Sequence, residues 1–193
     1  MRTSYDQVDV EQLIQRLVGE ISQELGHQPF NIVGIRTRGE TLAERLSQKL
    51  ANSGFAHIGR GVLDITLYRD DLSEIGPKPM VRPTRLDVQI DGRPMVLVDD
   101  VLFTGRTVRA ALNELADFGR PSLIRLAVLV DRGGRELPIH ADFVGLKLDP
   151  LPRNYRVKVQ LAENDHHDGI LIEPIPSISP TSPQEGASDG AHK

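Results

Sequence analysis

Two adjacent carboxylates, Asp99 and Asp100, follow an apolar run at residues 95–98 and precede a Thr-Gly-Arg-Thr turn at residues 104–107. The apolar run has the length and β-branched content of a buried strand, and helical spacing resumes at residues 108–115. The turn should therefore open a helix, whose free backbone N–H groups and dipole favour an anion such as phosphate. The two acids would repel that phosphate unless they hold a hydrogen-bond donor or a cation. A ribose diol together with Mg²⁺ meets both demands.

Two other uses of a strand that ends in acidic residues fit this chain poorly. A Walker B strand needs an upstream G-x-x-x-x-G-K-[ST] loop, which the sequence lacks. A phosphatase-like nucleophile normally lies in a D-x-D pair, whereas these two acids are adjacent. A pair of acids that is merely solvated at a strand end gives no reason for the Thr-Gly-x-Thr that follows. We therefore expect a site for a phosphorylated ribose.

A second loop with anion-binding character has the sequence Arg-Thr-Arg-Gly at residues 36–39. It lies between a predicted strand at residues 31–35 and a predicted helix at residues 42–50. Because the carboxyl ends of parallel strands meet at one edge of a sheet, both loops should face the same cleft. A basic surface turn without a ligand is the alternative for this loop. Together the two loops predict a ribose that carries phosphate at both ends.

Residues 96–107 resemble the phosphoribosyl pyrophosphate (PRPP) motif of type I phosphoribosyltransferases. Four segments, at residues 33–46, 63–72, 98–112 and 126–139, are similar in the same order to the PyrR family, uracil phosphoribosyltransferases that also regulate pyrimidine operons. The catalytic residues implied by this resemblance are Arg38, Arg69, Asp99 and Asp100. The PRPP-binding residues implied by it are Thr37, Arg38, Gly39, Asp99, Asp100, Thr104, Gly105, Arg106 and Thr107.

The resemblance also predicts the base that is used. In relatives that use hypoxanthine or guanine, the residue before the Thr-Gly of the motif is an Asp that helps to protonate the purine ring, whereas here it is Phe103. An apolar residue cannot do this, which favours a pyrimidine. We expect backbone groups of residues 130–135 to hydrogen-bond uracil, since two glycines there allow close approach. The predicted uracil-binding residues are Phe103, Val130, Asp131, Arg132 and Gly133. Local salt bridging is the alternative for Asp131, Arg132 and Arg135.

Composition and apolar spacing predict one α/β domain. The 193 residues are enough for a full core, and an aromatic content of 4% suits a parallel sheet covered by helices. A first helix should extend to Gly26 and begin at a capping box formed by Asp9 and Gln12. Alternation at residues 86–90 before an Asp-Gly turn predicts a hairpin with the strand that follows. Further strands are predicted at residues 62–67, 124–130, 143–148 and 157–161.

The resemblance implies the type I phosphoribosyltransferase fold, a central, mostly parallel sheet flanked by helices, with a small hood region and a lid loop. Residues 68–83, broken by glycine and prolines, are the expected lid. When closed, this loop would exclude water and place Arg69 near the leaving diphosphate. A solvated charge run is the alternative for Asp70 and Asp71. We predict a single phosphoribosyltransferase domain at residues 1–173 and a disordered tail at residues 174–193, where Pro, Ser and Gly dominate.

The expected partners are small molecules, namely PRPP, uracil, UMP and diphosphate. Transfer passes through an oxocarbenium-like centre, so that no nucleophilic side chain is required. Mg²⁺ is the expected cofactor, held mainly by substrate oxygens and water, with Asp99 and Asp100 acting on it through water at most. The sequence has no cysteine, no apolar run long enough to span a bilayer and no N-terminal leader, so we expect a cytoplasmic protein without a membrane partner.

The resemblance leaves a second function open, an RNA-binding attenuation regulator in which the PRPP and UMP site is mainly a sensor. Its partner would be the leader RNA of a pyrimidine operon, and a homodimer or higher homo-oligomer is implied. The net charge of −4 argues against a surface built throughout for nucleic acid. His140 also stands where typical relatives carry an Arg. A catalytically weak sensor that binds no RNA is a third alternative.

Overall fold

The computed structural model describes residues 2–65 and 83–175. Its main sheet consists of five parallel strands, β2 (Phe30–Ile35), β3 (Ile58–Leu63), β4 (Pro94–Leu102), β5 (Leu123–Asp131) and β6 (Phe143–Lys147), in the order β3-β2-β4-β5-β6. A smaller antiparallel sheet consists of β1 (Ser4–Tyr5), β7 (Tyr155–Gln160) and β8 (Gly169–Pro174), in the order β1-β8-β7. Residues 68–82 of the predicted lid, with Arg69, and residues 176–193 of the predicted tail lie outside the described residues.

In the described part of the chain four helices accompany these strands, α1 (Gln7–Leu25), α2 (Arg38–Asn52), α3 (Arg106–Leu115) and the short α4 (Ala162–Asp165). Helix α1 begins earlier than predicted, because its capping box is formed by Asp6 and Asp9. The Asp6 carboxylate accepts the backbone N–H groups of Val8 and Asp9, and the Asp9 carboxylate accepts that of Asp6. The predicted capping pair was therefore wrong. The predicted stop at Gly26, which has φ of 55°, is confirmed.

Strand β4 lies at the centre of the main sheet and is buried on both faces. Ile32 and Val96 point into a core formed with α1 and α2, whereas Val33 and Leu97 point into a core formed with α3. Because the strands are buried on both faces, their sequences are continuous apolar runs and do not alternate between apolar and polar residues. The predicted central parallel sheet flanked by helices is confirmed.

The predicted hairpin that ends in β4 was wrong. Both edges of β4 are occupied by parallel neighbours, with Met95 opposite Asn31 of β2 and Ile124 of β5. The segment before it makes only an isolated antiparallel bridge, between Arg85 and Val62 of β3. Alternation at residues 86–90 arises because their apolar side chains pack on the core under α3.

The antiparallel sheet and α4 form the small hood region expected beside the main sheet. Helix α4 follows β7 directly and lies against the first half of α2, to which it is joined by hydrogen bonds from Arg38, Thr41 and Arg45. Through this contact the hood reaches the helix that begins at the predicted diphosphate loop. Within residues 2–65 and 83–175, no helix is both long enough and apolar enough to cross a bilayer.

Candidate active site

The acidic pair lies inside β4 rather than after it. The strand continues to Leu102, because its ladder with β5 extends as far as the pair Leu102 and Asp131. Asp99 is buried and its Oδ1 accepts the backbone N–H of Asp100 at 3.0 Å. Burial raises the pKa of Asp100 above its ordinary value, although the hydrogen bond with Asp99 and the positive charge of Arg38 oppose the rise. The pair therefore forms a desolvated acidic site that faces a cation.

The turn after the acids has the geometry of an anion site at the start of a helix. Gly105 precedes α3 with φ of 93°, a left-handed conformation that favours glycine. Among the described residues the cap position of α3, Gly105, offers no side chain to the helix, and the first turn has no acidic residue. The Thr104 hydroxyl oxygen accepts the Arg106 N–H at 3.3 Å, and Thr107 lies half-buried in the first turn. Backbone N–H groups and two hydroxyls are thus available to a phosphate.

The Arg-Thr-Arg-Gly segment enters α2 sooner than predicted, since Arg38 and Gly39 belong to its first turn. A Cβ added at Gly39 would lie 2.5 Å from the carbonyl oxygen of Val98 and 3.2 Å from Cα of Asp99. Only glycine therefore allows the start of α2 to pack this closely on β4. This contact brings the predicted diphosphate loop against the acidic pair. Thr37 is exposed beside it.

Arg38 is held by a carboxylate from the hood. Its Nη2 lies 2.7 Å from Oδ1 of Asp165, and its Nε donates to Oδ2 of the same residue at 3.1 Å. This bidentate pair raises the pKa of Arg38 and lowers that of Asp165. The positive charge of Arg38 also lowers the pKa of Asp100, so the guanidinium acts on the acidic pair while it is bound to the hood.

The side chains of the predicted uracil loop after β5 make hydrogen bonds and an ion pair within the loop. Oδ1 of Asp131 accepts the Gly133 N–H at 2.9 Å, and its Oδ2 lies 2.6 Å from Nη2 of Arg135. Arg132 is buried, donates from Nη1 to the carbonyl of Tyr155 at 2.8 Å, and has its pKa lowered by burial. The Val130 side chain is fully buried in the sheet. The side chains of Asp131 and Arg132 therefore make internal contacts, and so do the backbone N–H groups of Arg132 and Gly133, which donate to the Leu102 carbonyl and to Asp131.

Phe103 joins the uracil loop to the phosphate loop. The Arg132 guanidinium carbon lies 3.9 Å from the centroid of the Phe103 ring, in a cation–π contact. A Cβ added at Gly134, which has φ of 75°, would lie 2.6 Å from Cε2 of that ring. Nη1 of Arg135 also donates to the Phe103 carbonyl at 2.7 Å. The loops that follow β2, β4 and β5 therefore meet at one edge of the sheet.

Comparison with known proteins identifies the family. Residues 3–163 match the phosphoribosyl transferase domain. The protein named Bifunctional protein PyrR from Chloroflexus aurantiacus is 52% identical over 165 residues, which cover 85% of this chain and 90% of the relative. Its namesake from Thermus thermophilus is 50% identical over 85% of this chain and 91% of the relative. The chain belongs to the PyrR family.

Solved structures confirm the fold of this PyrR-family chain. The hypoxanthine phosphoribosyltransferase of Trypanosoma cruzi superposes with a TM-score of 0.64 at 17% identity, covering 90% of this chain and 97% of the other. A hypoxanthine phosphoribosyltransferase from Staphylococcus aureus gives a TM-score of 0.61 at 19% identity, with 86% and 89% covered. The predicted type I phosphoribosyltransferase fold is thereby confirmed, together with the predicted family.

Two acidic residues near the PyrR-family site were not predicted from the sequence. Asp165 binds Arg38 across 127 residues of chain, and no local pattern signals such a tertiary contact. Glu136 lies 2.9 Å from Nε of Arg106, and its backbone N–H donates to the Thr104 carbonyl. The Glu136 carboxylate thus binds the Arg106 side chain, so an anion at the start of α3 would meet mainly backbone and hydroxyl groups.

A cavity of about 640 Å³ lies beside this site, between α2, β3 and residues 85–87. Of the predicted site residues in the described part of the chain, Thr37 alone lines it. The cleft formed by the three loops therefore shares with this cavity only Thr37 among those residues. Across residues 2–65 and 83–175, no group of three or more His, Cys, Asp or Glu side chains could hold a metal ion.

Proposed function

We propose that this protein is a uracil phosphoribosyltransferase, which transfers the phosphoribosyl group of PRPP to uracil and forms UMP and diphosphate. One observation carries the proposal: an acidic pair on β4 lies between two loops suited to anions, and a third loop closes on it through Phe103. PRPP needs such a site, because it has a ribose diol between a diphosphate and a 5′-phosphate. Membership of a phosphoribosyltransferase family supports the same reaction.

The proposed PRPP site follows the order of the loops along the sheet. Residues 37–39 bind the diphosphate at the start of α2, and the Asp99 and Asp100 carboxylates accept hydrogen bonds from the ribose hydroxyls. Residues 104–107 bind the 5′-phosphate at the start of α3. The contact of Gly39 with Val98 supports this arrangement, since it sets the diphosphate loop directly beside the acids.

In the proposed reaction, the bond between C1 of the ribose and the diphosphate oxygen breaks while N1 of uracil bonds to C1 and its proton is released. Positive charge develops on the ribose ring and negative charge on the departing diphosphate. Asp99 and Asp100 stabilise the first, and Arg38 with the backbone N–H groups of the diphosphate loop stabilises the second. Because these groups are held before the substrate arrives, little reorganisation is needed during the reaction.

We propose Mg²⁺ as the cofactor of this reaction. The donor set fits, because Asp99 and Asp100 offer carboxylate oxygens that would accept hydrogen bonds from water bound to Mg²⁺, in a site where Asp100 is desolvated. Within the described residues no cluster could bind the ion alone, so substrate oxygens and water provide most of its ligands. When bound, Mg²⁺ acts as a Lewis acid that lowers the charge on the diphosphate oxygens.

Uracil is the proposed acceptor because Phe103 presents an apolar ring where a purine enzyme of this superfamily has a carboxylate. Backbone carbonyl groups of residues 130–133 accept the hydrogen bonds that orient the base in this proposal, because the N–H groups of Arg132 and Gly133 already donate within the protein. Internal contacts of Asp131 and Arg135 support this role, since they hold that backbone in place. In this proposal the domain extends over residues 1–173, and residues 68–83 serve as the lid that brings Arg69 to the diphosphate.

A steady-state assay with a panel of bases tests the proposal. UMP should form from PRPP and uracil in a Mg²⁺-dependent manner, whereas guanine and hypoxanthine should give little product. Robust use of either purine would contradict the role of Phe103. Absence of product with every base, in a protein that still binds PRPP, would instead favour a sensor.

A second activity, regulation through pyrimidine leader RNA, is favoured by the word "bifunctional" in the names of relatives at about 50% identity. His140 is exposed beside β6. The neighbouring Arg125 pairs with Glu24 at 2.7 Å and with Asp142 at 3.0 Å, which reduces the positive charge available there. Binding of the leader RNA, measured at several salt concentrations, tests this activity. An affinity no higher than that for an unrelated RNA at the same salt concentration would contradict it. A measurement of the mass of the protein in solution tests the proposed homodimer.

A further inference from the structure

A row of polar contacts joins α2 to the hood, and we call it the α2–α4 seam. Residues 38, 41 and 45 lie on one face of α2, since they are spaced by three and four positions. Thr41 Oγ1 donates to Oδ1 of Asn164 at 2.7 Å. Arg45 binds Asp168 at 2.7 Å and donates from Nε to Glu163 at 2.8 Å. The seam ends at Arg38 and Asp165, which is the one pair that reaches the proposed diphosphate loop.

Asp165 is itself held in place before it meets Arg38. Its Oδ2 accepts the backbone N–H of Leu161 at 3.1 Å, and its own N–H donates to the Leu161 carbonyl at 2.7 Å. Only 13% of its side chain is exposed, against 32% for Arg38. The carboxylate is therefore a fixed support for a less buried guanidinium.

The geometry of the pair decides which edge of Arg38 faces the cleft. Both carboxylate oxygens meet the edge formed by Nε and Nη2. A guanidinium is planar, so a bidentate contact on one edge fixes its orientation and directs Nη1 away from the partner. Besides Asp165, the acid whose charge acts on Arg38 is Asp100, and the charge of Arg38 lowers the pKa of Asp100 in turn. The freed Arg38 could then turn towards the carboxylate that the ribose needs.

We propose that Asp165 is a positioning residue for phosphoribosyl transfer, which holds one edge of Arg38 so that the other edge meets the diphosphate. The proposal rests on the proposed function, because that function assigns the diphosphate to residues 37–39. Asp165 does not touch the substrate. It keeps Arg38 away from Asp100 and oriented before PRPP binds, which lowers the cost of reorganisation.

The chain offers a matched control for this role. Asp165→Asn and Asp168→Asn both remove a carboxylate from the seam, and each residue also accepts a backbone N–H near an end of α4. Arg45 keeps Glu163 as a partner when Asp168 is changed, and it lies two turns of α2 beyond the diphosphate loop. A purely structural role of the seam predicts similar losses in the two variants.

The test combines steady-state kinetics with calorimetric binding of Mg²⁺–diphosphate to the full chain. Asp165→Asn should lower kcat/KM for PRPP by about 10- to 100-fold and weaken diphosphate binding, with little change in KM for uracil. Asp168→Asn should stay within about twofold of the unaltered protein. Equal losses in the two variants, with equal shifts in Tm, would overturn the proposal.

A double-mutant cycle gives a readout that a structural role would not move. In an Arg38→Ala background, Asp165→Asn should cause almost no further loss, because its partner is already absent. Additive losses would overturn the positioning role. If the unaltered protein forms no UMP from PRPP and uracil, the proposed function fails. The diphosphate-binding comparison still decides the role of Asp165 in that case, since equal affinities in all variants would overturn it.

Discussion

The two predicted phosphate loops differ in how the chain builds them. The 5′-phosphate loop is local: residues 103–107 carry their own glycine at positive φ, their own hydroxyls and the start of α3. The diphosphate loop depends on distant parts of the chain. Gly39 packs on Val98 of β4, and Arg38 is held by Asp165 of the hood. A local anion site can be recognised from a short motif. An anion site assembled from distant segments can be altered by substitutions far away in the sequence.

The acidic pair lies between the two loops, and its removal should have the largest effect. Asp99→Asn and Asp100→Asn should each lower kcat/KM for PRPP by about 100- to 1,000-fold, because each removes charge that stabilises the developing ribose cation. The change Asp117→Asn, at an exposed position in the turn that follows α3, is the control. Near-native steady-state kinetics in both variants of the pair would contradict the assignment of the ribose site.

The assembled loop should not tolerate a side chain at residue 39. Gly39→Ala places a Cβ 2.5 Å from the carbonyl oxygen of Val98, so α2 must move away from the acids. We expect a loss of roughly 1–3 kcal/mol in the free energy of unfolding and of about 100-fold in kcat/KM for PRPP. Chemical denaturation and PRPP kinetics check both values.

A glycine elsewhere provides the matched control for residue 39. A Cβ added at Gly19 of α1 has no atom within 4 Å, and alanine is the better helix former. Gly19→Ala should therefore stabilise the protein by up to about 1 kcal/mol and leave PRPP kinetics unchanged. An equal response to the two substitutions would show that contact with β4 is unimportant.

The local loop should respond differently, because its glycine is required mainly by backbone conformation. Gly105 has φ of 93°, and a Cβ there would meet Ile139 side-chain atoms at 3.3 Å. Gly105→Ala should cost about 1–3 kcal/mol, and Gly105→Asn should cost less, since asparagine tolerates positive φ. At residue 39 asparagine should be worse than alanine. Unfolding curves for the alanine and asparagine variants at residues 39 and 105 check this prediction. If the same residue were the less destabilising one at both positions, the prediction would be contradicted.

These differences explain which features could be predicted from the sequence. The acidic pair, the hydroxyls and Gly105 lie in one contiguous segment, so their chemistry is visible in the order of residues. The start of α1 was predicted three residues too late, because the prediction placed the cap of the helix at Asp9. In the structure Asp6 is the cap, and Asp9 is the third helical residue of the capping box. Alternation at residues 86–90 suggested a strand, since packing on a core produces the same pattern as pairing. Asp165 could not be foreseen, because only the folded chain brings it to Arg38.

In the predicted uracil loop, the alternative of local salt bridging is confirmed for Asp131 and Arg135. Asp131 and Arg135 are four residues apart and form the ion pair that their spacing allowed. Arg132→Met should raise KM for uracil about 10-fold, with little effect on KM for PRPP, because it removes the contact with Phe103 and leaves the Tyr155 carbonyl without a donor. Arg153→Met, whose side chain is 82% exposed, is the control. A larger change in KM for PRPP than for uracil would contradict this assignment.

The smallest expected effect is a shift in the pH dependence of PRPP use. Variants of the diphosphate loop and of the 5′-phosphate loop should differ in this shift. Burial raises the pKa of Asp100, and Arg38 opposes the rise. Because the ribose hydroxyls need the ionised acid, kcat/KM for PRPP should fall as the pH is lowered through this raised pKa. Arg38→Gln removes the opposing charge, so the acid limb should move to higher pH. Arg106→Gln, in the local loop and paired with Glu136, should leave the limb in place. Comparing the shapes of the profiles cancels the titration of PRPP itself, and a limb that shifts equally in both variants would mean that Arg38 does not act on the acidic pair.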